Sequence, residues 1–135
     1  MKYIVYTDGG SRGNPGISGC GIYITDDQNQ PIEKRHKSLW IATNNVAEYT
    51  GAFLGISRAI ELWATEIELR ADSKLVVEQL SGNYKVKNLE LKKIYQSIGD
   101  AVAKWGGKIQ YTHIYREYNL EADRLSNVAM DSFRE

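Results

Sequence analysis

The sequence predicts an α/β fold in which a mixed β-sheet carries helices on its faces. Three observations point there. Segments rich in β-branched and aromatic residues fill positions 3–41 with turn residues between them, a strongly amphipathic helix follows, and strand and helix patterns then alternate towards the C-terminus. A meander followed by a helical crossover gives a sheet of mixed direction, because a right-handed crossover can return the chain parallel to the first strand.

Residues 3–7 form the first strand, 19–25 the second and 32–41 the third. Asn14-Pro15-Gly16 and the polar run from Asp26 to Pro31 supply the turns between them. Tyr49, Ala52, Phe53, Ile56, Ile60 and Trp63 fall on one stripe at helical spacing, and Asn45 and Glu48 are spaced as a capping box at the start of that helix. Residues 67–71 read as a fourth strand. Residues 73–81 read as a short helix closed by Gly82, for which Asp72 is a candidate cap. Leu91, Ile94, Tyr95, Ile98, Ala101, Val102 and Trp105 mark a long helix ended by Gly106-Gly107. Residues 108–115 make a fifth strand in which Tyr111, His113 and Tyr115 share a face, so His113 reads as a structural histidine. A last helix begins near Asn119 or Leu120.

With 135 residues and 42% apolar content, one domain over residues 1–135 buries enough surface to fold without staples. Cys20 is the single cysteine, which excludes an internal disulfide and a cysteine zinc site and suits a reducing, cytoplasmic setting. No segment approaches the ~18 apolar residues of a membrane span, and Met1-Lys2-Tyr3 leads straight into a strand. A free-standing monomer with no membrane partner is the expectation. The 17 basic and 17 acidic residues balance, so any case for an anionic partner must be local.

The local signal begins at "YTDGGSRGNPGISGCG", residues 6–21, where an acid closes the first strand and glycines crowd behind it. If strand four lies parallel to strand one, Asp8 and Asp72 end neighbouring strands at the edge where open α/β sheets bind ligands. Glu48 and Asp123 fall on helices at that edge. Singly, each acid has an ordinary reading as a turn residue, a cap or a solvated charge. Together they do not. Two carboxylates about 5 Å apart repel by roughly 3 kcal/mol at an effective dielectric of ~20, so folding gathers several of them only around a compensating cation. Oxygen ligands without His or Cys suit Mg²⁺ or Mn²⁺, and paired divalent ions serve in-line displacement at phosphorus.

These segments also resemble the type 1 ribonuclease H family, through "YTDGGSRGNPG" with Asp8, "TNNVAEY" with Glu48, "RADSKLVVEQL" with Asp72 and "REYNLEAD" with Asp123. The resemblance implies the RNase H-like fold: a five-stranded mixed sheet in the order 3-2-1-4-5, strands one to three antiparallel, flanked by helices. It implies an endoribonuclease that cuts the RNA strand of an RNA/DNA hybrid with two Mg²⁺ ions, leaving 3′-hydroxyl and 5′-phosphate ends, with Mn²⁺ as a substitute. Asp8 would bridge both ions, Asp123 would complete the ion beside the attacking water, and Glu48 and Asp72 would hold the ion beside the leaving oxygen. Gly9 and Gly10 would let the backbone approach the RNA strand, while Gly13 and Gly16 read as turn glycines. Asn14, Asn44 and Asn45 match minor-groove contacts, and Thr43 and Asn88 resemble residues that hold a phosphate of the DNA strand.

Two departures from better-known members stand out. The basic protrusion before the long helix is absent, and only "SGNYKVKN" fills its place, although Lys85, Lys87, Lys92 and Lys93 against Glu90 leave a local charge of +3. Weaker hybrid affinity than in protrusion-bearing relatives is expected. The loop before Asp123 is short, and Arg116 stands where shorter-loop relatives carry an arginine, an auxiliary group that can hold a phosphate or the departing product but cannot act as a base. The alternative reading is a non-catalytic module for hybrids or RNA, which four clustered acids argue against. The glycine loop matches neither phosphate-binding nor dinucleotide-binding spacing. Double-stranded RNA remains an open second partner.

Overall fold

The computed structural model describes residues 1–132. Strands β1 (Lys2–Arg12), β2 (Gly16–Asp26) and β3 (Pro31–Ala42) form an antiparallel meander, and β4 (Glu66–Ala71) and β5 (Lys108–His113) add parallel pairs beyond β1. The order is β3-β2-β1-β4-β5, as the resemblance implies. Helices α1 (Asn44–Glu61), α2 (Lys74–Leu80), α3 (Leu89–Trp105) and α4 (Leu120–Asp131) complete the fold. Among the described residues no helix is long and apolar enough to cross a membrane.

The main core lies between the sheet and α1 with α3. Tyr3, Val5, Ile22, Ile24, Ile67 and Leu69 from the strands meet Tyr49, Ala52, Ile56, Leu91 and Ile98 from the helices. Burying a Leu- or Ile-sized side chain contributes about 1.5–3 kcal/mol, so this face dominates the stability. The opposite face of β1–β3 takes α4, through the buried Ala122, Leu125 and Ala129. That layering fixes the site. It sends β1 and β4 in the same direction and brings the N-terminal parts of α1 and α4 alongside Asp8 and Asp72.

Several local expectations are corrected. The glycine segment is strand rather than loop: β1 and β2 stay paired from Tyr3↔Asp26 to Arg12↔Ile17, because backbone pairing does not require a side chain. Thr43, not Asn45, caps α1, its Oγ1 accepting from the Val46 amide at 3.2 Å, so Asn45 and Glu48 form no capping box. Ser73, not Asp72, caps α2 by accepting from Val76 at 3.3 Å. Both corrections release a carboxylate from a structural task. The α1 stripe stops short of Trp63, which sits beyond the helix end at φ 67° and is 87% exposed. His113 ends β5 exposed, edge-on to Tyr115 with ring centroids 5.9 Å apart, and is not a core histidine.

Candidate active site

Asp8 stands where β1 passes the start of α1, and its carboxylate is buried at 7% exposure. Its Oδ1 accepts from the Gly9 amide at 2.9 Å, and Ser126 of α4 approaches Oδ2 at 3.5 Å. Glu48 arrives from the second turn of α1 and Asp72 from just beyond β4, and one carboxylate oxygen of each of the three acids lies within 4.8 Å of the others. Asp123, in the first turn of α4, faces Asp8 across an open cleft of about 510 Å³ lined by all four acids. Arg116 lines it too, reaching Asp123 Oδ1 at 3.6 Å from a largely exposed position.

The electrostatics of this cluster are unfavourable without a cation. Burial first, then the neighbouring Asp72 and Asp123, push the Asp8 carboxyl up to about 8. Burial, then Asp8 and Asp72, raise Glu48 well above the ordinary carboxylate range. Among the described residues no His or Cys joins the group. A nest of hard oxygen donors whose negative charge is uncompensated fits a hard divalent ion and fits soft metals poorly.

Gly9, Gly10 and Asn44 line the cleft, whereas Asn14, Thr43, Asn45 and Asn88 lie outside its lining. Asn14 and Asn44 are locked together. Asn44 Oδ1 accepts from the Ser11 amide at 2.8 Å, and Asn14 Oδ1 accepts from the Asn44 amide at 3.0 Å, bonds that do not use either side-chain NH₂ group. Thr43 and Asn88 each spend a side-chain oxygen capping a helix, Asn88 by accepting from Leu91 at 3.0 Å.

Two glycines have a packing task. A Cβ on Gly9 would sit 2.3 Å from the Ala47 carbonyl carbon, and one on Gly21 would sit 2.3 Å from the Ala122 carbonyl oxygen. Gly9 and Gly21 thus admit helix backbones. Gly9 lets α1 bring Glu48 to Asp8, and Gly21 lets α4 bring Asp123. Gly10 meets nothing closer than Met130 at 3.4 Å.

One residue escaped the sequence reading. Asn119 precedes α4, where an asparagine reads as a cap, yet its side chain makes no cap hydrogen bond. Its fully buried side chain donates instead to the Thr7 carbonyl at 2.9 Å and to Asp72 Oδ2 at 3.3 Å. The signal available in the sequence was its place four residues before Asp123, inside the segment that carries the family resemblance.

Comparison with known proteins follows the same outline. The family model described as reverse transcriptase-like matches residues 6–129. The bifunctional protein Rv2228c of Mycobacterium tuberculosis is 45% identical over 133 residues, covering 98% of this chain and 36% of that protein. The chain thus spans about a third of that relative's length. Ribonuclease HI of Halobacterium salinarum is 32% identical over 126 residues, covering 93% of this chain and 63% of the relative. Among solved structures, the N-terminal RNase H domain of the Mycobacterium tuberculosis protein superposes with a TM-score of 0.93 at 42% identity, covering 98% of this chain and 95% of that one. LC11-RNase H1, from a compost metagenome and solved in complex with an RNA/DNA hybrid, gives 0.91 at 36% identity, covering 96% of each chain.

Proposed function

The chain belongs to the reverse transcriptase-like family, among its type 1 ribonuclease H members, and from that membership we propose that it is an endoribonuclease that hydrolyses the RNA strand of RNA/DNA hybrids. The observation that carries the proposal is the carboxylate cluster: Asp8, Glu48 and Asp72 brought within 4.8 Å, with Asp123 opposite, in one cleft. In this reading residues 1–135 act as one RNase H domain, a monomer in the cytoplasm.

Asp8, Glu48, Asp72 and Asp123 would hold two Mg²⁺ ions, with Mn²⁺ as a substitute. Bound there, divalent ions supply charge stabilisation at the phosphoryl oxygens and lower the pKa of a water. The chain's own part is placement. Asp8 lies between Glu48 and Asp72 on one side and Asp123 on the other, so it reaches both halves of the site. Asn119 keeps the Asp72 carboxylate turned towards the cluster. Arg116, which cannot give up its proton, would hold a phosphate or the departing 5′-phosphate end. The products are a 3′-hydroxyl and a 5′-phosphate.

Choice of the hybrid rests on the rim. With their carbonyl ends committed internally, Asn14 and Asn44 present only donors, which suit the acceptors of the minor groove and the 2′-oxygen of the RNA strand without reading base identity. Gly10 leaves the neighbouring backbone open. Thr43 and Asn88 have the character of backbone-phosphate contacts, and Asn45 stands exposed beside them. Lys85, Lys87, Lys92 and Lys93 form no ion pair among the described residues, so they can add phosphate contacts where the protrusion is missing.

The test is strand-specific cleavage. A hybrid labelled on either strand should lose only its RNA strand, in the presence of Mg²⁺ and not of a chelator, with hydroxyl and phosphate ends as stated. An RNA duplex run alongside defines the second substrate. Folded protein that binds the hybrid and cuts neither strand with either metal would reduce the chain to a binding module.

A further inference from the structure

We infer that Arg12 binds a backbone phosphate of the strand being cut, at a subsite separate from the carboxylates; the inference rests on the hybrid-cleaving function proposed above. Asp8, Gly10 and Arg12 alternate onto one face of β1. At about 3.4 Å per residue, Arg12 lies roughly 14 Å along the strand from Asp8. It still lines the same cleft, and Arg12 and Arg116 are the two cationic residues of that lining.

Their situations differ. Arg116 leans on Asp123, inside the acidic cluster, whereas Arg12 is held by Asp131 Oδ1 at 2.5 Å and by Asn127 Oδ1 at 3.3 Å, both on α4 and both beyond the cluster. Those two bonds occupy two of the five guanidinium N–H groups. The remainder are free to meet a ligand. The pair with Asp131 is weak by position, since the two side chains are 48% and 65% exposed. Asp131 is also the last residue of α4, where the helix dipole disfavours a carboxylate. A phosphate offers the guanidinium a charge-assisted, bidentate partner in the geometry it prefers. Asp131 therefore serves as a placeholder. It fixes Arg12 at the cleft in the free protein and yields when the nucleic acid arrives.

The placeholder arrangement separates this role from a purely structural one. If Arg12 binds phosphate, Arg12→Ala should raise KM for the hybrid about tenfold while kcat stays within about twofold. It should also reduce the slope of log affinity against log salt by roughly 0.9, the contribution of one phosphate contact on B-form DNA. Asp131→Asn, which removes the competitor, should lower KM severalfold. If Arg12 only ties β1 to α4, both substitutions break the same tie, so both should shift KM in the same direction and leave the salt slope unchanged. The experiment measures steady-state cleavage of a labelled hybrid over a range of salt by wild type, Arg12→Ala and Asp131→Asn, with melting temperatures recorded for each. Opposite shifts in KM and a reduced slope for Arg12→Ala support the inference. Unchanged KM in Arg12→Ala, or parallel shifts at constant slope, overturn it while wild-type cleavage leaves the function standing. A folded wild type that does not cut the hybrid overturns the function itself, and this inference with it.

Discussion

Asn119 shows how much of the site depends on a residue that carries no charge. Its NH₂ group spans the Thr7 carbonyl on β1, next to Asp8, and the Asp72 carboxylate beyond β4, so it ties together the two segments that carry these acids. Asn119→Ala should leave the fold recognisable yet weaken Mg²⁺ binding and lower kcat by about 10–100-fold, the usual range when a group orienting a metal ligand is lost. Asn119→Asp should be worse, because it sets another carboxylate against Asp72. Calorimetric Mg²⁺ titration beside cleavage kinetics checks both, and unaltered metal affinity in Asn119→Ala would remove the orienting role. The four acids were legible in the sequence because the order of elements brings them to one edge of the sheet, and clustered negative charge has few structural uses. Asn119 was not, because an asparagine before a helix satisfies the capping rule on paper. Only the folded structure shows its side chain turned away from that task.

At the scale of elements, the glycines set how close the helices come. Gly21→Ala would place its Cβ 2.3 Å from the Ala122 carbonyl oxygen and 2.6 Å from the Ser126 amide nitrogen, so α4 must lift and take Asp123 with it. A loss of about 3 kcal/mol or more in denaturant unfolding is expected, at the upper end of overpacking costs, together with a fall in activity. Gly99→Ala makes the opposite prediction. Gly99 lies inside α3 with nothing within 4 Å of the point an alanine methyl would occupy, so alanine there should stabilise by about 0.5–1 kcal/mol and leave kcat unchanged. The same denaturant series tests the pair, and equal effects at the two sites would refute the role of close packing. Element types and their order were readable from hydrophobic periodicity, but their ends were less so. β1 runs on to Arg12 because its ladder with β2 continues through glycine, which propensity counts against a strand. Trp63 continues the α1 stripe in sequence after the backbone has already turned to positive φ. Close helix approach was also hidden, since a glycine that admits a helix looks the same in sequence as one that makes a turn.

For the molecule as a whole, the cluster ties stability to pH and to metal. The Asp8 carboxyl is raised to about 8 and Glu48 is raised as well, while in the unfolded chain both titrate near ordinary carboxylate values. Between about pH 4 and 8 the folded state therefore binds more protons than the unfolded one, and stability falls as pH rises through that window. Each pK unit corresponds to about 1.4 kcal/mol, so metal-free protein should melt several degrees higher near pH 5.5 than near pH 8. Millimolar Mg²⁺ at the higher pH should recover most of the difference, and Asp8→Asn should flatten the profile. A melting temperature independent of pH and of Mg²⁺ would contradict the cation site. The most direct test of metal-dependent hybrid cleavage at this cluster compares wild type with Asp8→Asn on one RNA/DNA hybrid in Mg²⁺. Wild type should cut the RNA strand, while the variant, folded and at least as stable without metal, should cut nothing measurable. Unchanged turnover in Asp8→Asn would contradict the assignment of the carboxylate cluster as the catalytic centre.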